Sequence, residues 1–154
     1  MEASLNSLEE RIERLEDLES IRKLFVEYKR HLDARDWHAY SLLFADEGEW
    51  IGGTGRAVGP AAIEAMLSER LGQNAPAPGP THFHLVGLPE VVLDGERATA
   101  DVPWALIVRG EGDVPELTLW GHYDDELIKQ DGRWRFARRV ANTDVPHRPL
   151  DGVS

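Results

Sequence analysis

Apolar residues recur at helical spacing in the first third of the chain and at every second position from about residue 82 onward, and this change of period constrains the fold more than any other feature. Leu5, Leu8, Ile12 and Leu15 alternate spacings of three and four, and Leu18, Ile21, Leu24, Phe25, Tyr28 and Leu32 continue the stripe. Such a pattern predicts one long helix, or two in line, whose first turns pack either on a partner chain or over the chain's own sheet. Asp36 can cap a second short helix over Trp37 to Phe44, ended by Asp46-Glu-Gly48. Trp50 and Ile51 begin a short strand, Gly52 to Gly55 make a turn, and Gly59-Pro60 starts a helix through about Leu71 that buries Ile63, Met66 and Leu67. The stretch Gln73 to Pro80, with three prolines, reads as a loop.

After that loop, strands are expected at 82–93, 97–109, 116–129 and 133–142, separated by Asp94-Gly95, by Gly110 to Asp113 and by Asp131-Gly132. Helices first and an antiparallel sheet afterwards argue an α+β fold, with the helices on one face of a curved sheet. At 154 residues the chain fits one domain spanning 1–154, and the five Trp supply large buried surfaces.

Charge narrows the partners. With 28 acidic against 17 basic side chains the formal net charge is -11, so nucleic acid and anionic membranes are repelled. The absence of Cys excludes disulfides, thiolate nucleophiles and thiolate metal sites. Neither a basic, apolar leader nor a run of about 18 apolar residues is present, and a cytoplasmic location is expected.

Two segments can carry chemistry: Gly79-Pro-Thr-His-Phe-His84 and His31-Leu-Asp-Ala-Arg-Asp-Trp37. Alternation puts His82 and His84 on one strand face and Phe83 and Leu85 on the other. An imidazole can accept a proton at neutral pH, and a carboxylate on its other nitrogen fixes the tautomer and stabilises the imidazolium. His82 is taken as the general base and Asp33 as its orienting carboxylate. A structural pair of a bonded strand His and an Asp ending its helix is the plainer alternative.

Tyr28 stands five residues before Asp33, about 140° away on an ideal helix, so the two share a pocket only if the helix ends between them. Its catalytic role is hydrogen-bond donation to a carbonyl or leaving oxygen; its plain role is in the core stripe. Tyr123, Trp104 and His84 are candidate substrate contacts, as is Asn142, expected on the same face as Trp134, Phe136 and Val140. His82-Phe83-His84 lacks any standard metal spacing, Gly52 to Gly55 lacks the residues of a phosphate loop, and no Ser sits in a nucleophile elbow. Acid–base chemistry without metal or cofactor is what remains.

The order of these elements, with Tyr28, His31 to Trp37, Leu43-Phe-Ala-Asp46, Pro80-Thr-His-Phe83 and Asp131-Gly-Arg-Trp-Arg-Phe136, resembles the SnoaL-like family of the nuclear transport factor 2-like superfamily over roughly residues 8 to 143. Within it the patterns look like those of scytalone dehydratase, bile-acid 7α-dehydratase and hexachlorocyclohexane dehydrochlorinase. The resemblance implies a cone-shaped, cystatin-like barrel of helices and bent sheet around an apolar pocket, and a cofactor-independent lyase. It matches catalytic positions to Asp33, His82 and Tyr28, and a polar pocket position to Tyr123. The chain departs from the pattern in three places: Trp104 to Val108 holds no second catalytic His, Leu32 stands where a Tyr precedes the Asp, and a basic residue is replaced around Asn142-Thr143.

A dehydratase acting on a small cyclic or steroid-like substrate is therefore expected. An isomerase, a polyketide cyclase or a non-catalytic ligand-binding or oligomerisation module are the alternatives, and a homo-oligomer, trimer or dimer, is the expected assembly.

Overall fold

The computed structural model describes residues 7–73 and 80–151, so Leu5, most of the proline-rich loop and the last three residues lie outside the described residues. The apolar stripe forms a single helix, α1 (Leu8–Ala34), opened by a capping box in which Ser7 Oγ accepts from the Glu10 amide and Glu10 accepts from the Ser7 amide. Arg35 ends it in the left-handed region at φ 51°. Its second half buries Ile21, Leu24, Phe25 and Tyr28, whereas Leu8, Ile12 and Leu15 remain exposed. The first turns thus do not cover the chain's own sheet.

Asp36 caps α2 (Trp37–Ser41) by accepting from the Ala39 amide at 3.0 Å. This helix is shorter than expected because the chain enters β1 (Phe44–Gly52) at Phe44. The Asp46-Glu-Gly48 signal is an irregularity inside that strand, and the glycine run leads into β2 (Gly55–Val58). Then α3 (Pro60–Leu71) buries Ile63 and Leu67. The expected 82–93 strand divides at Leu88-Pro89 into β3 (His82–Val86) and β4 (Glu90–Asp94). Three long strands follow: β5 (Arg97–Arg109), β6 (Pro115–Gln130) and β7 (Arg133–Val145).

Among the described residues the strands form one curved sheet in the order β2-β1-β7-β6-β5-β3, with β4 also paired to β5. The expectation of a wholly antiparallel sheet is corrected at one pair, since β1 runs parallel to β7. Helices pack inside the bend over Trp50, Val102, Trp104, Tyr123, Leu127 and Phe136.

Bulges decide which residues face that interior. Leu127 pairs with Phe136 but Glu126 pairs with Arg138, so Ala137 is an extra residue on β7 and the facing pattern shifts by one. Phe136 and Arg139 both point inward as a result, followed by Ala141 and Thr143. Asn142 and Val140, expected inside by strict alternation, lie on the opposite face. A second bulge at Thr118 turns Leu117 outward while Leu119 stays inside.

Gly121 sits where β7 crosses closely. A Cβ there would lie 1.9 Å from the Asn142 carbonyl oxygen and 3.0 Å from the Trp104 ring.

Candidate active site

Asp33 occupies the last turn of α1, where the negative end of the helix dipole opposes a carboxylate. Side-chain contacts offset that cost. His84 Nδ1 lies 2.7 Å from Asp33 Oδ1, the same oxygen accepts the His84 backbone N–H at 3.0 Å, and Lys29 Nζ stands 3.0 Å from Oδ2. Burial would raise the Asp33 carboxyl, but the bonds from His84 and Lys29 outweigh it and hold the group below its ordinary range. With Nδ1–H donating to the carboxylate, Nε2 is left as the basic nitrogen of His84.

The histidine bonded to the Asp33 carboxylate is His84, where the sequence pointed to His82, whose bond is to the Asp33 backbone. Both residues share a strand face, as alternation requires, with ring centroids 6.1 Å apart. The selection is made by the end of α1, which sets Asp33 over residue 84. The His82 ring contacts the Thr81 hydroxyl at 3.3 Å and bonds to the backbone of Asp33; burial together with the Arg35 charge pushes its pKa down, against the opposing pull of Asp33.

His84 lines a partly open cavity of about 310 Å³ together with Tyr28, Tyr40, Trp50, Trp104 and Tyr123, flanked by aliphatic side chains, Thr54 and Thr143. Tyr28 reaches it although α1 runs unbroken past Asp33. The angle between them places Tyr28 in the cavity floor and Asp33 at the side, behind His84. Tyr40 donates to the Tyr28 hydroxyl at 2.8 Å, and Tyr123 is a second hydrogen-bond partner of that hydroxyl, so the three phenols form one network. Burial raises the Tyr40 and Tyr123 phenols well above their ordinary value, so both stay protonated near neutral pH. Trp104 stacks on Tyr123 at 5.7 Å between centroids.

Asn142, a candidate contact in the sequence, is not in this wall. Its amide donates to Asp124 at 2.9 Å on the outer face, beside His122, which is bonded to Asp144 at 2.7 Å.

Beneath the tyrosines lies an ion pair that alternation conceals. Arg139 and Asp125 are fully buried and joined by two bonds of 2.6 Å, with the guanidinium 3.9 Å from the Tyr28 ring centre, 4.0 Å from that of Tyr123 and 4.1 Å from that of Phe136. Sequence reasoning also misses Tyr40 and Trp50, although the aromatic cluster Trp37, Tyr40, Phe44 near a helix end is a usable signal. Arg148 enters the lining because the chain folds back through a bridge to Thr143. It supplies a cation at the lining where the last strand lacks one.

Among the described residues no group of three His, Cys, Asp or Glu side chains could hold a metal ion, and no helix is long and apolar enough to cross a membrane.

The model of the SnoaL-like domain family matches residues 13–140. No curated protein matches the chain. Among solved structures, an NTF2-like protein with a cystatin-like fold from Novosphingobium aromaticivorans is similar at 27% identity and TM-score 0.79, covering 100% of this chain and 95% of its own. A candidate scytalone dehydratase from the same organism is 22% identical with TM-score 0.67, covering 84% and 85%. ActVI-ORFA from Streptomyces coelicolor is 20% identical with TM-score 0.69, covering 82% and 96%. These last two likenesses speak to the fold.

Proposed function

We propose, from the premise that the chain belongs to the SnoaL-like domain family, that it is a cofactor-independent lyase of the dehydratase type whose base is His84. The observation that carries this reading is the Asp33–His84 contact of 2.7 Å in the wall of an apolar cavity. His84 Nε2 takes a proton from carbon, and Asp33 stabilises the imidazolium. As the carbon–carbon double bond forms, the bond to the departing oxygen breaks. Tyr28, backed by Tyr40, donates a hydrogen bond to that oxygen, and the proton held on His84 returns to it so that it leaves as water.

A volume near 310 Å³ is at the lower end of the range for ligand pockets, about 300–1,000 Å³, and favours a small cyclic substrate over a steroid. Trp50, Trp104 and the tyrosines suit a planar ring. Isomerisation and polyketide cyclisation begin with the same proton abstraction and differ only in the fate of the resulting enolate.

The test is a panel of cyclic β-hydroxy ketones and ketols in D2O, monitored by NMR for deuterium incorporation at carbon and for loss of water. Wild type should exchange or dehydrate at least one member, and His84→Gln should lose that activity. Equal turnover by His84→Gln would remove the base from the mechanism. Saturable binding of panel members with no exchange on any of them would favour the non-catalytic ligand-binding reading.

A homo-oligomer is the assembly we carry forward. Leu85, Ala105, Trp120 and Val145 pair in register across β3, β5, β6 and β7, forming an uncharged outer row in which Leu85, Trp120 and Val145 are exposed. On a chain of net charge -11, a charge-free row is where two copies meet with least repulsion. Trp120→Glu is expected to reduce the mass measured by light scattering on a sizing column to that of one chain; an unaltered oligomer would place the interface elsewhere.

A further inference from the structure

Asp33 is shared. One carboxylate oxygen faces His84 at 2.7 Å and the other faces Lys29 at 3.0 Å, while the Lys29 ammonium also rests 3.8 Å above the Phe83 ring centre. Lys29 precedes Asp33 by one helical turn, so its reach to Oδ2 follows from α1 alone. Phe83 projects from β3 on the side opposite His84, and its ring gives the ammonium a second fixed contact. Two elements thus hold one cation beside the carboxylate.

We propose that Lys29 is a positioning residue that divides the Asp33 carboxylate with His84 and thereby sets how basic the His84 imidazole is. The inference rests on the reading of His84 as the base. The effect is electrostatic: an imidazolium is stabilised by the full negative charge of its partner, and a cation on the far oxygen cancels part of it. With Lys29 in place, part of the negative charge that Asp33 offers the imidazolium is already engaged. Both contacts also restrict rotation of the carboxylate, keeping Oδ1 directed at Nδ1.

Other titratable and charged groups face the pair as well: Arg35 on α1 and His82 on β3 on the Asp33 side, and Tyr28, Tyr40, Tyr123 and Arg148 in the cavity lining shared with His84, while β5 presents Trp104 and Leu106. Lys29 is partly exposed, so its replacement removes a charge without opening the core.

The experiment is an NMR titration of the His84 imidazole in the full chain, with the resonance assigned by its loss in His84→Gln. Lys29→Met should raise the His84 midpoint by about 0.5–1 pH unit, a three- to tenfold gain in proton affinity, and Lys29→Arg should keep the wild-type midpoint. Phe83→Leu, which loosens the ammonium, should move the midpoint part of the way. An unchanged or lowered midpoint in Lys29→Met overturns the proposal. Because the titration needs no turnover, it decides the role of Lys29 even if no panel substrate is found, in which case it is the lyase reading that fails.

Discussion

Replacing Arg139 with Met while Asp125 stays in place should lower the unfolding free energy by about 3–5 kcal/mol, read as a lower urea midpoint with little change in slope. The cost comes from the partner left behind. Asp125 would keep a carboxylate in a site with no solvent, having lost both of its 2.6 Å bonds, and the rings of Tyr28, Tyr123 and Phe136 would lose the guanidinium packed against them. Burial pushes the Asp125 carboxyl above its ordinary value, Arg139 opposes part of that rise, and Asp124 and Asp101 add to it. Against a total of about 5–15 kcal/mol for a domain, such a loss is a large fraction. The double replacement Arg139→Met with Asp125→Leu should recover most of it, since no charge is then stranded. A single variant within about 1 kcal/mol of wild type would mean that the pair contributes far less than its burial implies.

The second large effect concerns the dyad. Asp33→Asn is expected to reduce kcat/KM on a substrate identified by the panel by about 10²–10⁴-fold, with the fold retained. Asparagine preserves size and the bond from the His84 amide, but supplies no charge for the imidazolium and no longer dictates which ring nitrogen carries hydrogen. His82→Gln should cost less than tenfold on the same substrate, because its side chain is not placed on the carboxylate. A larger loss from His82→Gln than from Asp33→Asn would reverse the assignment.

The pH behaviour has a definite sign. Asp33 is held below its ordinary value, so the stability its pairing contributes is present above the unfolded carboxyl pKa of about 3.9 and is lost as pH falls through the lower folded value.

Much of this architecture is written in local pattern. The period of α1, the Gly59-Pro60 start of α3 and the alternation of β5 to β7 are each legible because one face of each element must be buried. Where the chain departs from strict alternation the pattern falls silent. Ala137 and Thr118 carry no mark that distinguishes a bulge from an ordinary strand residue, yet the first brings Arg139 inward and sends Asn142 out. The parallel pairing of β1 is hidden because Asp46-Glu-Gly48 has the composition of a turn. His82 and His84 are equivalent by face, and only the packing of the end of α1 against β3 chooses between them. Local sequence thus locates the pocket's face and the carboxylate, whereas the partner of that carboxylate is a tertiary result.

The three tyrosines of the chain, Tyr28, Tyr40 and Tyr123, all stand in the wall of one cavity. The tyrosine part of the near-ultraviolet spectrum consequently originates at a single place in the molecule. A ligand that hydrogen-bonds to these hydroxyls, or excludes water from them, will shift that band without any label and whether or not it is turned over. The protein therefore carries its own optical reporter of occupancy, on which unconverted compounds can be ranked by affinity before a reaction is known.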